Sequence, residues 1–131
     1  MRKNIAFCLM LVLSLLLAAC SSSAEKLTAV PITSPEQYLQ VFPEADIIIG
    51  EEDSFFVEAT RVPWIMHSLD FTDTTAVGKV KRSGIREHFR AWDATVLTEG
   101  TEIMRHNNEG NVMIAKVEGK PLPYLRYVAP E

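Results

Sequence analysis

His67, Asp70 and Asp73 put one imidazole and two carboxylates close together in the chain, a donor set that suits zinc or another divalent ion. His88 and His106 stand far off and join such a site only through folding. The competing role for Asp70 and Asp73 is turn formation, which aspartate performs by bonding the backbone just ahead of it. Glu51, Glu52 and Asp53 offer oxygens for calcium, but the run lacks the alternating ligand spacing and central glycine of a calcium loop. It reads as a solvated hairpin tip, where charge also discourages edge pairing. No glycine-rich phosphate loop, G-x-S-x-G elbow, H-E-x-x-H pair or EF-hand occurs in the sequence. Ser54, Ser68 and Ser83 lie outside any nucleophile motif; Ser68 follows His67, yet a triad forms by fold rather than adjacency. Any two of the 17 acids could converge for hydrolysis, and the sequence names no pair. No catalytic residue and no cofactor is therefore assigned. The expectation is a non-enzymatic protein, with a metal-dependent factor or enzyme using His67, Asp70 and Asp73 as the alternative.

A second kind of chemistry is ionic. Glu25 to Asp73 holds ten acids and two bases, whereas Thr74 to Glu131 holds nine bases and seven acids. The bases concentrate in Lys79, Lys81, Arg82, Arg86 and Arg90, which suit an anionic polymer or anionic lipid head groups. The alternative is a solvated face balancing the acidic half. A net charge of −4 argues against general nucleic-acid binding, because the acidic half opposes the phosphates. Trp64 and Trp92 are unlinked in sequence and read as core or rim residues.

These groups must be positioned by short elements. Ser34-Pro35-Glu36-Gln37 starts a helix with serine as N-cap, proline in the first turn and glutamine reaching back to the cap, and Pro43 ends it. Asp46–Gly50 and Phe55–Thr60 read as strands around the acidic turn. Arg61–Asp73 shows no period and reads as irregular or a short strand. Thr75–Arg82 reads as a strand with Lys79 and Lys81 on one face and Val80 on the other, interrupted by Ser83-Gly84. Ile85, Phe89 and Trp92 fall on one stripe of a short helix, or of an ordered loop, with Arg86 and Arg90 on its flank. Thr101–Arg105, Val112–Val117 and Leu122–Val128 form an antiparallel meander, with Pro121 and Pro123 forcing the third strand to start late or lie at an edge. The fold class is all-β: a small antiparallel barrel or sandwich of about six strands with one or two short helices, with α+β as the alternative.

The N-terminus fixes where this domain works. Arg2 and Lys3 precede an uncharged run from Ile5 to Ala19 with leucine at 9, 11, 13, 15, 16 and 17. That is the anatomy of a signal peptide, and it is too short to cross a hydrocarbon core, which takes about 20 apolar residues. The run ends in Leu17-Ala18-Ala19-Cys20, which resembles the lipobox of bacterial lipoproteins at all four positions. The resemblance implies removal of residues 1–19 and a diacylglyceryl group on Cys20, with palmitate-like acyl chains. Two or more chains make membrane attachment stable where one is marginal. Cys8 is lost with the signal peptide, so a lipidated Cys20 leaves the mature protein without a free thiol or disulfide. Cleavage also removes two bases and no acid, making the protein more acidic.

The resulting organisation is a signal peptide (1–19), a lipidated cysteine with a flexible tether (20–30) and one small β-rich domain (31–131). Trp92–Ile103 and Pro123-Tyr124-Leu125 are similar to stretches in small uncharacterised lipoproteins of Gram-positive, Bacillus-like bacteria. Ser21 rather than aspartate follows the cysteine, which implies the outer membrane in a Gram-negative host and the outer leaflet of the single membrane in a Gram-positive one. The expected protein is a lipid-anchored extracytoplasmic binding or interaction module of the cell envelope. Its expected partners are the membrane, through Cys20, and an envelope protein or anionic polymer.

Overall fold

Ser34 opens the first helix as its chemistry dictates: its Oγ accepts a hydrogen bond from the Gln37 N–H at 3.2 Å, and Pro35 occupies the first turn. Gln37 reaches back one residue beyond the cap, its Oε1 accepting from the Thr33 N–H at 2.7 Å. The computed structural model describes residues 31–130; residues 1–19, Cys20 and the tether 20–30 lie outside the described residues. The elements run α1 (Pro35–Val41), β1 (Ile47–Ile49), β2 (Phe55–Glu58), α2 (Pro63–Ser68), β3 (Thr74–Lys79), β4 (Glu102–His106), β5 (Val112–Val117) and β6 (Lys120–Arg126). Replacing Ser34 by alanine should cost about 1 kcal/mol, read as a lower urea midpoint with unchanged slope.

All six strands join one antiparallel sheet in the order β1-β2-β6-β5-β4-β3, curled into a half-barrel. This is the all-β fold expected from the strand count and the scarcity of helix. Residues 80–95 draw the two edges of the sheet together. Lys81 and Arg82 continue the line of β3 and bond to the Trp92–Ala94 stretch, with Lys81 N–H to the Trp92 carbonyl at 2.8 Å and Ala94 N–H to the Arg82 carbonyl at 2.9 Å. The same stretch bonds to β1, with Trp92 N–H to the Ile49 carbonyl at 2.8 Å and Ile49 N–H to the Asp93 carbonyl at 2.9 Å. The unpaired edge of β1 is thereby covered.

Both faces of the sheet are buried. Ile48, Phe56, Val80, Trp92, Ile103, Met113, Ala115 and Tyr124 fill the concave side. On the outer side Ile65 of α2 packs on Met104, Val112 and Ile114, and Leu39 of α1 packs on Ile47, Ile49 and Phe55. Strands covered on both faces read as continuous apolar runs, which is why Ile47–Ile49 and Val112–Ala115 show no alternation. Among the described residues no helix is long and apolar enough to cross a membrane.

Two local expectations are corrected, and one that stood between helix and ordered loop is decided for the loop. Residues 63–68 form α2, neither irregular nor strand; Pro63 sits in its first turn, but Val62 supplies no capping side chain, so the usual signal is missing. The stripe Ile85, Phe89 and Trp92 lies on an ordered loop, because Gly84 (φ 71), His88 (φ 53) and Trp92 (φ 67) take the left-handed backbone, which a right-handed helix excludes. The third meander strand starts early, at Lys120, and lies inside the sheet between β5 and β2. Its prolines are tolerated because Pro123 turns its carbonyl, and so its missing N–H, away from β5: that carbonyl accepts from Ala59 N–H at 2.9 Å, just past the end of β2.

Candidate functional site

Strand alternation places Asp46, Glu58 and Tyr124 on the concave side at one end of the half-barrel. Asp46 precedes the inward Ile48 by two, Glu58 follows the inward Phe56 by two, and Glu58 stands opposite Tyr124 in register. The Glu58 N–H donates to the Asp46 carbonyl at 3.0 Å, tying the strand ends together. Tyr124 is wholly buried. Its hydroxyl faces the Asp46 carboxyl, and the two groups are each other's partner, although the contact falls short of good hydrogen-bond geometry.

The electrostatics follow from burial. Loss of water raises the Asp46 pKa above the usual carboxylate value; the Tyr124 hydroxyl offsets part of the rise and the Glu58 charge adds to it. Tyr124 is pushed up far more strongly, first by burial and then by the Asp46 charge.

Asp46 forms one wall of a cavity of about 320 Å³ at this mouth, with Val96, Leu97, Val117 and Leu122 as apolar walls and Thr98, Thr101, Lys116 and Glu118 around them. The loop behind Val96 and Leu97 is held by Gly100 N–H to the Val80 carbonyl at 2.8 Å and by Thr101 Oγ1 to the Thr98 carbonyl at 2.7 Å. The opposite lip is the β5–β6 turn, where Glu118 (φ 51) and Gly119 (φ 76) give the mirror-image turn that suits strand twist. Lys116 leans towards Glu102, its Nζ 3.7 Å from the carboxylate. The result is a pocket with apolar walls edged by Asp46, Lys116 and Glu118.

The groups singled out from sequence fare differently. His67 is exposed on α2. Asp70 Oδ1 accepts from Thr72 N–H at 2.9 Å and Thr72 Oγ1 at 2.6 Å, and these bonds hold its carboxyl below the usual range. Asp73 accepts from Asn107 Nδ2 at 2.8 Å and Asn108 Nδ2 at 2.7 Å, so its oxygens close the β4–β5 turn. Among the described residues no group of three His, Cys, Asp or Glu side chains forms a metal site. The buried histidine is His106: its Nδ1 accepts from the Asn108 and Glu109 N–H groups at 3.2 and 3.1 Å, and its Nε2 lies 3.0 Å from the Asp70 carbonyl. That pattern requires the neutral ring with its proton on Nε2.

Of the basic residues, Lys79, Lys81, Arg86 and Arg90 are exposed. Arg86 Nη2 donates to the Pro43 carbonyl at 2.7 Å. Arg82 is different: it forks onto the buried Asp93, with Nε to Oδ1 at 2.8 Å and Nη2 to Oδ2, so its charge is internally matched. The chain matches no protein-family model, no curated protein and no solved structure. Residue roles therefore rest on geometry alone. Sequence reasoning passed over Asp46 and Tyr124; the available signal was an acid at an inward strand position, two residues before Ile48.

Proposed function

We propose that this protein is a lipid-anchored, extracytoplasmic envelope protein whose β-domain is a non-enzymatic binding module. The observation that carries the reading is Cys20 placed directly after Leu17-Ala18-Ala19 at the end of a leucine-rich run. In this reading the acyl chains on Cys20 hold the protein at the membrane, and the polar tether lets the domain stand off from it. What supports a binding role is the pocket, which joins the apolar walls Val96, Leu97, Val117 and Leu122 to the charged side chains Asp46, Lys116 and Glu118. Lys79, Lys81, Arg86 and Arg90 are the exposed cations that would meet anionic head groups or an envelope polymer.

Metabolic labelling with palmitate tests the anchor. Wild-type protein should incorporate label and partition with membranes, and Cys20→Ala should lose the label completely and accumulate at precursor mass. Lipid incorporation by Cys20→Ala would refute the reading.

A further inference from the structure

We propose that the outer face between α1 and α2 rests on the lipid bilayer, its exposed aromatic and apolar side chains seated at head-group depth. The proposal rests on the lipid-anchored reading and adds to it the face that the domain turns to the membrane.

The two helices build this face. Leu39 ties α1 to β1 and β2, and Ile65 ties α2 to β4 and β5, so both helices lie on the outer side of the sheet with β6 between them. A groove of about 400 Å³ lies there, with Val57, Leu125 and Tyr127 on its strand side, Tyr38 on α1 and Val62 at the start of α2. Its surroundings are apolar as well. Val41 and Phe42 at the end of α1, Trp64 and Met66 on α2 and Val128 just past β6 are all exposed. The other exposed large apolar side chain among the described residues, Val96, stands apart at the mouth of the half-barrel. The Tyr38 ring lies 4.9 Å from that of Phe42 and 5.3 Å from that of Tyr127, so α1 and β6 present one aromatic surface.

Reach and side-chain chemistry select a bilayer as the partner. Cys20 to Val30 is 11 residues, which at 3.3–3.6 Å each span at most about 40 Å, and the chain enters the domain directly ahead of α1. Of all the elements, α1 is therefore joined to the anchor by the shortest stretch of chain, and the tether makes even a weak contact with the head groups intramolecular. Tryptophan, tyrosine and phenylalanine beside arginine favour the boundary between head groups and acyl chains, where a ring keeps one end dry and the other wet. Arg61 precedes Val62, Arg126 lines the groove, and Arg86 donates to the Pro43 carbonyl beside Phe42. Arg90 follows Phe89, which packs on the α1 cluster. These four cations offset Glu36, Glu44, Glu58 and Glu87 around the same face. The face thus lacks the acidic excess of a chain of net charge −4 and approaches lipid phosphates without repulsion.

The two tryptophans make the contact measurable, because Trp64 is 45% exposed on α2 and Trp92 is 7% exposed in the core. The palmitate-labelled full chain is reconstituted into phosphatidylcholine vesicles whose acyl chains do or do not carry bromine close to the head group, and tryptophan emission is compared. Bromine should remove about half of the emission, the share of one tryptophan in two, because Trp64 sits at the depth of the quencher. Trp64→Phe should lose the bromine effect. Phe42→Asp combined with Met66→Asp, both at exposed positions, should abolish it while the protein still floats with the vesicles through its acyl chains. If the double variant fails to fold, Met66→Asp alone decides, and it should about halve the bromine effect, since a carboxylate is costly at that depth. Label and flotation without quenching, quenching that persists in Trp64→Phe, or undiminished quenching in the folded aspartate variant would overturn the proposal and leave the anchor standing. Absence of palmitate label would instead refute the anchor, and the proposal with it.

Discussion

Trp92→Ala is expected to lower the free energy of unfolding by about 3–5 kcal/mol, the range for deleting a large buried aromatic, and to move the urea midpoint of the chain accordingly. Trp92 is 7% exposed and sits in the concave core, while its own backbone bonds both to Ile49 of β1 and to Lys81 beyond β3. One residue thus fills the half-barrel and holds the stretch that draws its edges together. It does so from a left-handed backbone, a conformation that costs of order 1 kcal/mol or more and persists only where packing compensates. The ring lies over Gly78, where an added Cβ would stand 2.8 Å from Trp92 Cε2. Gly78→Ala should therefore cost about 1–3 kcal/mol through overpacking. In a Trp92→Ala background the same substitution should cost nothing comparable, and a double-mutant cycle reads that coupling directly. Additive effects would show that Trp92 and Gly78 are not packed as described.

The contrast between what the sequence revealed and what it hid is a contrast between local and non-local causes. Ser34, Pro35, Gln37 and Pro43 determine α1 within ten residues of chain, so the helix can be read without knowing what it packs on. The meander is likewise local: its apolar strands are separated by turns that Asn107, Asn108 and Gly119 accept readily. By contrast, α2 lacks a capping side chain, and Ile65 is held instead by Val112 and Ile114 on the distant strand β5. The 85–92 segment carries helical spacing, but its backbone partners lie on β1 and beyond β3, and those bonds prevail over periodicity. Asp46 is visible in sequence as an acid beside Ile47-Ile48-Ile49; its pairing with Tyr124 exists only once β2 and β6 are in register. The presence of a strand could be read there, and the site built from three strands could not.

The same non-locality governs the second large effect, at Arg82 and Asp93. Asp93 is almost completely inaccessible, whereas the Arg82 side chain keeps 40% of its surface, so the two partners are not equivalent. Arg82→Met should destabilise, read as a lower urea midpoint, because it strands the Asp93 carboxylate with only the Arg90 N–H at 2.7 Å as its remaining hydrogen bond. Asp93→Asn should cost less, since Arg82 can turn its charge to water and asparagine still accepts a bond. Titration separates this explanation from simple loss of packing. In the wild type, burial pushes the Asp93 pKa up, but the Arg82 hydrogen bonds, the Arg90 N–H and the two guanidinium charges outweigh it and hold the group below its usual value. A depressed folded pKa contributes stability that is fully present above the unfolded value of about 3.9 and is lost as pH falls through the folded one. Without Arg82 only the Arg90 N–H and the Arg90 charge oppose the burial, so the folded pKa rises from its depressed value and the carboxylate contributes less stability at neutral pH. The stability gap between wild type and Arg82→Met should therefore narrow as pH is lowered from 7 towards 4, while the gap to Asp93→Asn stays nearly constant over that interval. Asp46, whose pKa is raised, has the opposite sign from wild-type Asp93, but it is common to all three proteins and cancels in the differences. Urea unfolding at pH 7, 5.5 and 4 measures both gaps, and a pH-independent gap for Arg82→Met would mean that the fork onto Asp93 does not hold its charge.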